Sequence, residues 1–112
     1  MVADAWNERI QQLDPNGAPR GSIPITGWES RSILDKPYLA ADARGRIYVT
    51  APERYEILVV DVDGQVRPLS LPGGRGRRPA TPTGIDVGAG GELYVAESSG
   101  GVLRRYSVLD PP

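Results

Sequence analysis

A single period of 46–47 residues runs through the chain and restricts it to folds built from repeated units that cover one another. Asp14-Pro15-Asn16-Gly17 is answered 47 positions later by Asp61-Val62-Asp63-Gly64. Ile47-Tyr48-Val49 is answered 46 positions later by Leu93-Tyr94-Val95, and Val2-Ala3-Asp4 stands 47 positions before Val49-Thr50-Ala51. Between these landmarks Ile10, Ile57 and Leu103 fall in register, as do Leu13, Val60 and Tyr106. Chance is a poor explanation for landmarks that agree in residue type, spacing and order.

The content of one period predicts four short strands. In the middle copy Pro37 precedes Leu39-Ala40-Ala41, a segment of inner-strand length. Asp42-Ala43-Arg44-Gly45 reads as a turn, with Gly45 where a positive φ is needed. Arg46 to Thr50 is β-branched and aromatic, hence a strand. Ala51 to Tyr55 reads as a polar loop. Glu56 to Asp61 holds the most apolar strand, and a continuous apolar run predicts burial on both faces. Asp63-Gly64 is a hairpin turn, and Gln65 to Leu69 is a fourth strand whose Pro68 suits an edge. Four antiparallel strands with the last at an edge describe a β-propeller blade. Composition agrees: 14 Gly, 11 Pro and no Phe suit short strands joined by tight turns.

Composition also restricts function. The chain has no Cys, so it holds no disulfide framework and no thiolate metal site. It has no His, which removes the commonest general base and the commonest metal ligand. A net charge of −1 makes the whole molecule no electrostatic magnet for nucleic acid or anionic membrane. No apolar run approaches the ~20 residues of a membrane helix. Met1 to Arg9 lacks the pattern of a secretory signal.

The stretch Pro82-Thr83-Gly84-Ile85-Asp86-Val87-Gly88-Ala89-Gly90-Gly91-Glu92-Leu93-Tyr94-Val95-Ala96-Glu97 resembles the NHL repeat, a Pro-x-Gly-Ile-Ala-Val-Asp turn followed by Gly-x-Val-Tyr-Val-Ala-Asp. It departs at Gly88 and Glu97, where that family prefers Asp. Val2 to Gly17 is similar to the second half of the same repeat. The family's Asp-x-x-Asn-x-Arg-Ile signature falls on Asp4, Asn7, Arg9 and Ile10, and the copies at Ala51–Ile57 and Glu97–Leu103 have lost it. The resemblance covers nearly the whole chain. It implies an all-β fold of propeller blades, each of four antiparallel strands, with an incomplete ring per chain. It divides residues 1–112 into the second half of a blade (1–36), a full blade (37–81) and the first three strands of a blade (82–112, ending at Val108). Rings of around six blades are usual in that family. The expected partners are the remaining blades of a parent propeller or further copies of this chain. Two periods per chain would close such a ring as a trimer. The repeated stretches 2–14 and 95–108 compete for one place in a blade, which makes a dimer the alternative.

Candidate sites each have a structural reading beside the functional one. Asp4, Asn7 and Arg9 would form a polar ligand site or, as we expect, pin a loop through an Asp4–Arg9 bond. Arg75, Arg77 and Arg78, in Gly73 to Arg78, are the basic cluster and the candidate ligand-binding residues for phosphate or RNA. No aromatic stacking platform is interleaved with them, so a solvated loop is preferred and nucleic acid is not the expected partner. Trp6 and Trp28 are expected to pack between blades rather than to serve as recognition aromatics. Asp42, Asp61 and Asp63 lack the alternating carboxylates and closing Glu of a calcium loop, so they are read as turn residues and no metal site is assigned. Ser98-Ser99 has no His to activate it, and Gly88 to Gly91 is a hairpin turn rather than a nucleotide loop. No catalytic residue and no cofactor are assigned. The expected function is a non-catalytic scaffold or interaction module. The alternatives are an enzyme or metal site, lactonase- or lyase-like, formed only in an assembled ring, and, more weakly, RNA binding through the Arg75–Arg78 loop.

Overall fold

The computed structural model describes residues 1–28, 36–69 and 81–107. They form ten strands in three antiparallel sheets. The first sheet is β1 (Val2–Asp4), β2 (Arg9–Leu13) and β3 (Pro19–Pro24), in that order. The second has four strands in sequence order, β4 (Leu39–Ala41), β5 (Ile47–Ala51), β6 (Glu56–Val60) and β7 (Val66–Pro68). The third is β8 (Pro82–Val87), β9 (Leu93–Glu97) and β10 (Val102–Tyr106). These are the meandering sheets of propeller blades, each strand paired with its sequence neighbour.

Two of the turns, β2–β3 and β4–β5, close by the same device. At the first hairpin Asp14 Oδ1 accepts the N–H groups of Asn16 and Ala18, both at 2.9 Å, and Gly17 takes φ 84°. At Asp42 the same oxygen accepts from Arg44 and Arg46, with Gly45 at φ 86°. A short acceptor four residues ahead of the returning strand and a glycine in the left-handed region together close the turn. Pro68 stands in β7, the edge strand, opposite Leu58. Pro19 and Pro24 bound the edge strand β3, so both edges are blunted against further pairing.

The core lies between the sheets. Strand alternation sends Ile47, Val49, Ala51, Leu58 and Val60 of the second sheet toward the first, where they cluster with Ile10, Ile25 and Trp28. The intervening residues Tyr48, Ile57 and Val59 cluster with Leu93, Val95 and Tyr106 of the third sheet. This is why Ile57 to Val60 reads as an unbroken apolar run: both faces of β6 are covered, and each such side chain contributes about 1.5–3 kcal/mol by leaving water. On the third sheet, β8 lies alongside β4 and β5.

Two local expectations are corrected. The segment Ala51 to Tyr55 is no open polar loop. Ala51 ends β5 and is buried, and Pro52–Arg54 form one turn of 3-10 helix, with Pro52 also buried. Tyr55 closes that turn at φ 55°, its N–H bonded to the Pro52 carbonyl at 3.2 Å. Ala5–Asn7 form the same one-turn helix one repeat earlier, closed by Glu8 at φ 52°. Trp6 does not pack between blades. It projects from that turn and is 78% exposed, with the Lys36 ammonium 5.8 Å from its ring centre. Its position in a tight turn between β1 and β2 puts it off both sheet faces. Trp28, by contrast, is fully buried between the first two sheets.

Candidate functional site

The polar residues singled out by the sequence are built around the β1–β2 turn. Arg9 Nε donates to Asp4 Oδ2 at 2.8 Å, and Asn7 Nδ2 donates to both Asp4 carboxylate oxygens at 3.1 Å. Asp4 and Arg9 are opposite partners in the β1–β2 register, so the bond ties the turn where the strands diverge. The Arg9 bond first, and the Asn7 bond after it, hold the Asp4 carboxyl below its ordinary range. Both lie toward solvent, where such a pair fixes geometry more than it adds stability. At the next repeat the same turn holds a different pair, Arg54 Nη2 to Glu56 Oε2 at 3.0 Å. Arg75, Arg77 and Arg78 lie outside the described residues.

A tighter cluster sits at the β4–β5 turn. Asp42 Oδ2 accepts from Arg46 Nε at 2.7 Å and from the Tyr48 hydroxyl at 3.2 Å, while its Oδ1 caps the turn. Burial alone would raise the Asp42 carboxyl. The Arg46 side chain and the backbone N–H groups of Arg46 and Arg44 outweigh that and hold it low. The Arg46 guanidinium also lies over the Tyr48 ring, 6.0 Å from its centre. An open cleft runs between this turn and Gly88–Gly91 of the third sheet. Asp61 and Asp63 act likewise as turn residues: Arg67 Nε donates to Asp61 Oδ2 at 3.0 Å and the Gln65 N–H to Asp63 Oδ1 at 3.1 Å.

The structure brings together one cluster that residue type alone did not reveal. Glu97 is buried, and the buried Tyr106 hydroxyl donates to its Oε2 at 2.5 Å. Arg104 Nε lies 3.3 Å from Glu97 Oε1. Glu97 occupies the repeat position of Asp4. Its departure from the repeat pattern was the available signal, together with the tyrosine that stands in place of Leu13 and Val60. Nearby, Ser98 bonds to the Thr81 carbonyl through its N–H at 3.0 Å, and Thr81 Oγ1 bonds to Ser99 Oγ. Thr81 holds φ 52°. These hydroxyls link the entry of β8 to the β9–β10 turn. Among the described residues no group of three or more His, Asp, Glu or Cys is placed to hold a metal ion.

No protein-family model and no curated protein sequence matches the chain. Solved structures do. Virginiamycin B lyase from Staphylococcus aureus superimposes with a TM-score of 0.61 at 18% identity, over 98% of this chain and 40% of that one. A streptogramin B lyase gives 0.60 at 19% identity, over 93% of this chain and 35% of that one. A catalytically inactive histidine-to-alanine variant of the Staphylococcus aureus lyase with quinupristin gives 0.59 at 18% identity, over 99% and 41%. The chain therefore spans about two fifths of the length of these β-propeller enzymes. Likeness at this identity concerns the backbone fold alone. The fold is a stack of antiparallel β-propeller blades making up part of a ring.

Proposed function

We propose that the chain is a non-catalytic propeller scaffold of the NHL type, whose role is to stack with further blades and to present its loops to a partner. One observation carries this reading: four of the described carboxylates, Asp4, Asp42, Asp61 and Glu97, are each bonded to a cation or hydroxyl of their own sheet. Asp4 is held by Arg9, Asp42 by Arg46 and Tyr48, Asp61 by Arg67, and Glu97 by Tyr106 and Arg104. Such bonds lock turns and strand ends, and they leave these oxygens committed to the sheet rather than to a shared centre.

The test is calorimetric and chemical. The purified chain is titrated with Mg²⁺ and Ca²⁺ and then incubated with quinupristin and each ion. The scaffold reading predicts no saturable heat and an unaltered quinupristin mass spectrum. Saturable binding of either ion, or conversion of quinupristin, overturns it in favour of an enzyme or metal site.

A further inference from the structure

The two contacts between sheets use the same repeat positions, and each outer sheet keeps one face of that contact uncovered. On the side that faces the following sheet, Ile10 and Ile57 are buried, while their equivalent Leu103 on the third sheet is 71% exposed. Tyr48 is likewise buried, and its equivalent Tyr94 is 36% exposed. On the side that faces the preceding sheet, Val49 and Val95 are buried, whereas their equivalent Val2 on the first sheet is 47% exposed. Val60 and Tyr106 are buried, and their equivalent Leu13 is 37% exposed.

From this we infer that a second copy of the chain docks head to tail, the free face of its first sheet covering the free face of the third sheet, so that two copies close on each other. This rests on the scaffold reading above. The occupant is a second copy because the missing half of each contact is already carried by the chain. In the existing contact Val59 packs in one cluster with Val95 and Tyr106. Arg105 stands where Val59 does, and the first-sheet equivalents of Val95 and Tyr106 are Val2 and Leu13. The Arg105 stem would therefore lie on those two side chains, with its charge toward the row that carries Asp4. The repeated stretches 2–14 and 95–108 do not compete for one place: the first supplies β1 and β2 of one sheet, the second β9 and β10 of another. Each copy thus contributes three sheets to the stack rather than two blades. The contact is heterologous, and its two junctions are identical.

The experiment is light scattering on the full chain at 1–100 μM, with Leu103→Asp, Leu13→Asp and an equimolar mixture of the two variants. The expected mass of the parent chain is twice 12.0 kDa. Each variant alone is expected to run as a folded monomer with an unchanged β-type circular dichroism spectrum. The mixture is expected to regain the dimer, because Leu103 of one variant meets Leu13 of the other at one intact junction. A folded monomeric parent, a mass of three or more chains, or a mixture that stays monomeric overturns the inference. A monomer that binds no ion and leaves quinupristin unchanged defeats the head-to-tail contact alone. Ion binding or turnover defeats the scaffold reading whatever the mass.

Discussion

Replacing Trp28 with Phe should cost about 3 kcal/mol of folding stability. Trp28 is fully buried between the first and second sheets, and its indole N–H donates to the Thr50 carbonyl at 2.9 Å. Thr50 is itself buried at the end of β5. The ladder neighbour that would serve this carbonyl, the Tyr38 N–H, donates instead to Thr50 Oγ1 at 2.9 Å. The indole therefore completes the ladder from outside it. Phe removes the donor, and an orphaned buried carbonyl costs about 1–3 kcal/mol. It also leaves a void larger than a methyl group, worth about 1 kcal/mol or more. For a chain of 112 residues the sum corresponds to roughly 12 °C of melting temperature. Thermal melts followed by circular dichroism measure it, and Trp6→Phe is the control. Trp6 is exposed, so its replacement should stay within about 0.5 kcal/mol. In the Trp6→Phe variant the remaining emission comes from Trp28 alone and should be blue-shifted, moving to the red on unfolding. A Trp28→Phe loss below about 1 kcal/mol, or equal losses at the two tryptophans, would refute the reasoning.

Further outcomes follow from the turns and the buried acid. The Asp42 carboxyl is held below its ordinary value of 3.8, so it stabilises the fold above that pH and the contribution fades as pH falls through the lower folded value; Asp42→Asn should flatten the acid limb of a stability–pH curve below about pH 4. Gly45 lies at φ 86° with open space where a Cβ would stand, so Gly45→Ala should cost about 1 kcal/mol from backbone strain alone, read by urea unfolding. Tyr106→Phe removes the hydroxyl that Glu97 accepts from and should cost about 1.5–3 kcal/mol, whereas the compensating Tyr106→Phe, Glu97→Gln double variant should recover part of that loss in a melt.

Much of the architecture was legible because the repeat and the strand period state the same thing. The 46–47-residue spacing put Ile10, Ile57 and Leu103 in one register, and each sits at the same place in its sheet. The unbroken apolar stretch in β6 announced a strand covered twice, and Pro68 marked the edge. Exposure was less legible, since it depends on which sheets have a neighbour: Ile57 and Leu103 are alike in sequence and opposite in burial. Hydrophobicity does not place Trp6, because its turn decides where its ring points. The turn at Pro52 reads as polar because the charges of Glu53 and Arg54 mask two buried neighbours, Ala51 and Pro52. Asp4, Asn7 and Arg9 could be grouped from their spacing within one turn. Glu97 and Tyr106 could not, because nine residues and a hairpin separate them and only strand pairing brings them together.

The central claim is that the second sheet is covered on both faces by register-equivalent contacts. Methyl–methyl NOE spectroscopy on the chain, with Ile, Leu and Val methyls labelled, tests it most directly. The account predicts cross-peaks from Ile10 to the cluster of Val49, Leu58 and Val60, and from Ile57 and Val59 to the cluster of Leu93 and Val95, with none between Ile10 and Ile57. Cross-peaks joining Ile10 and Ile57 in one common cluster would contradict it.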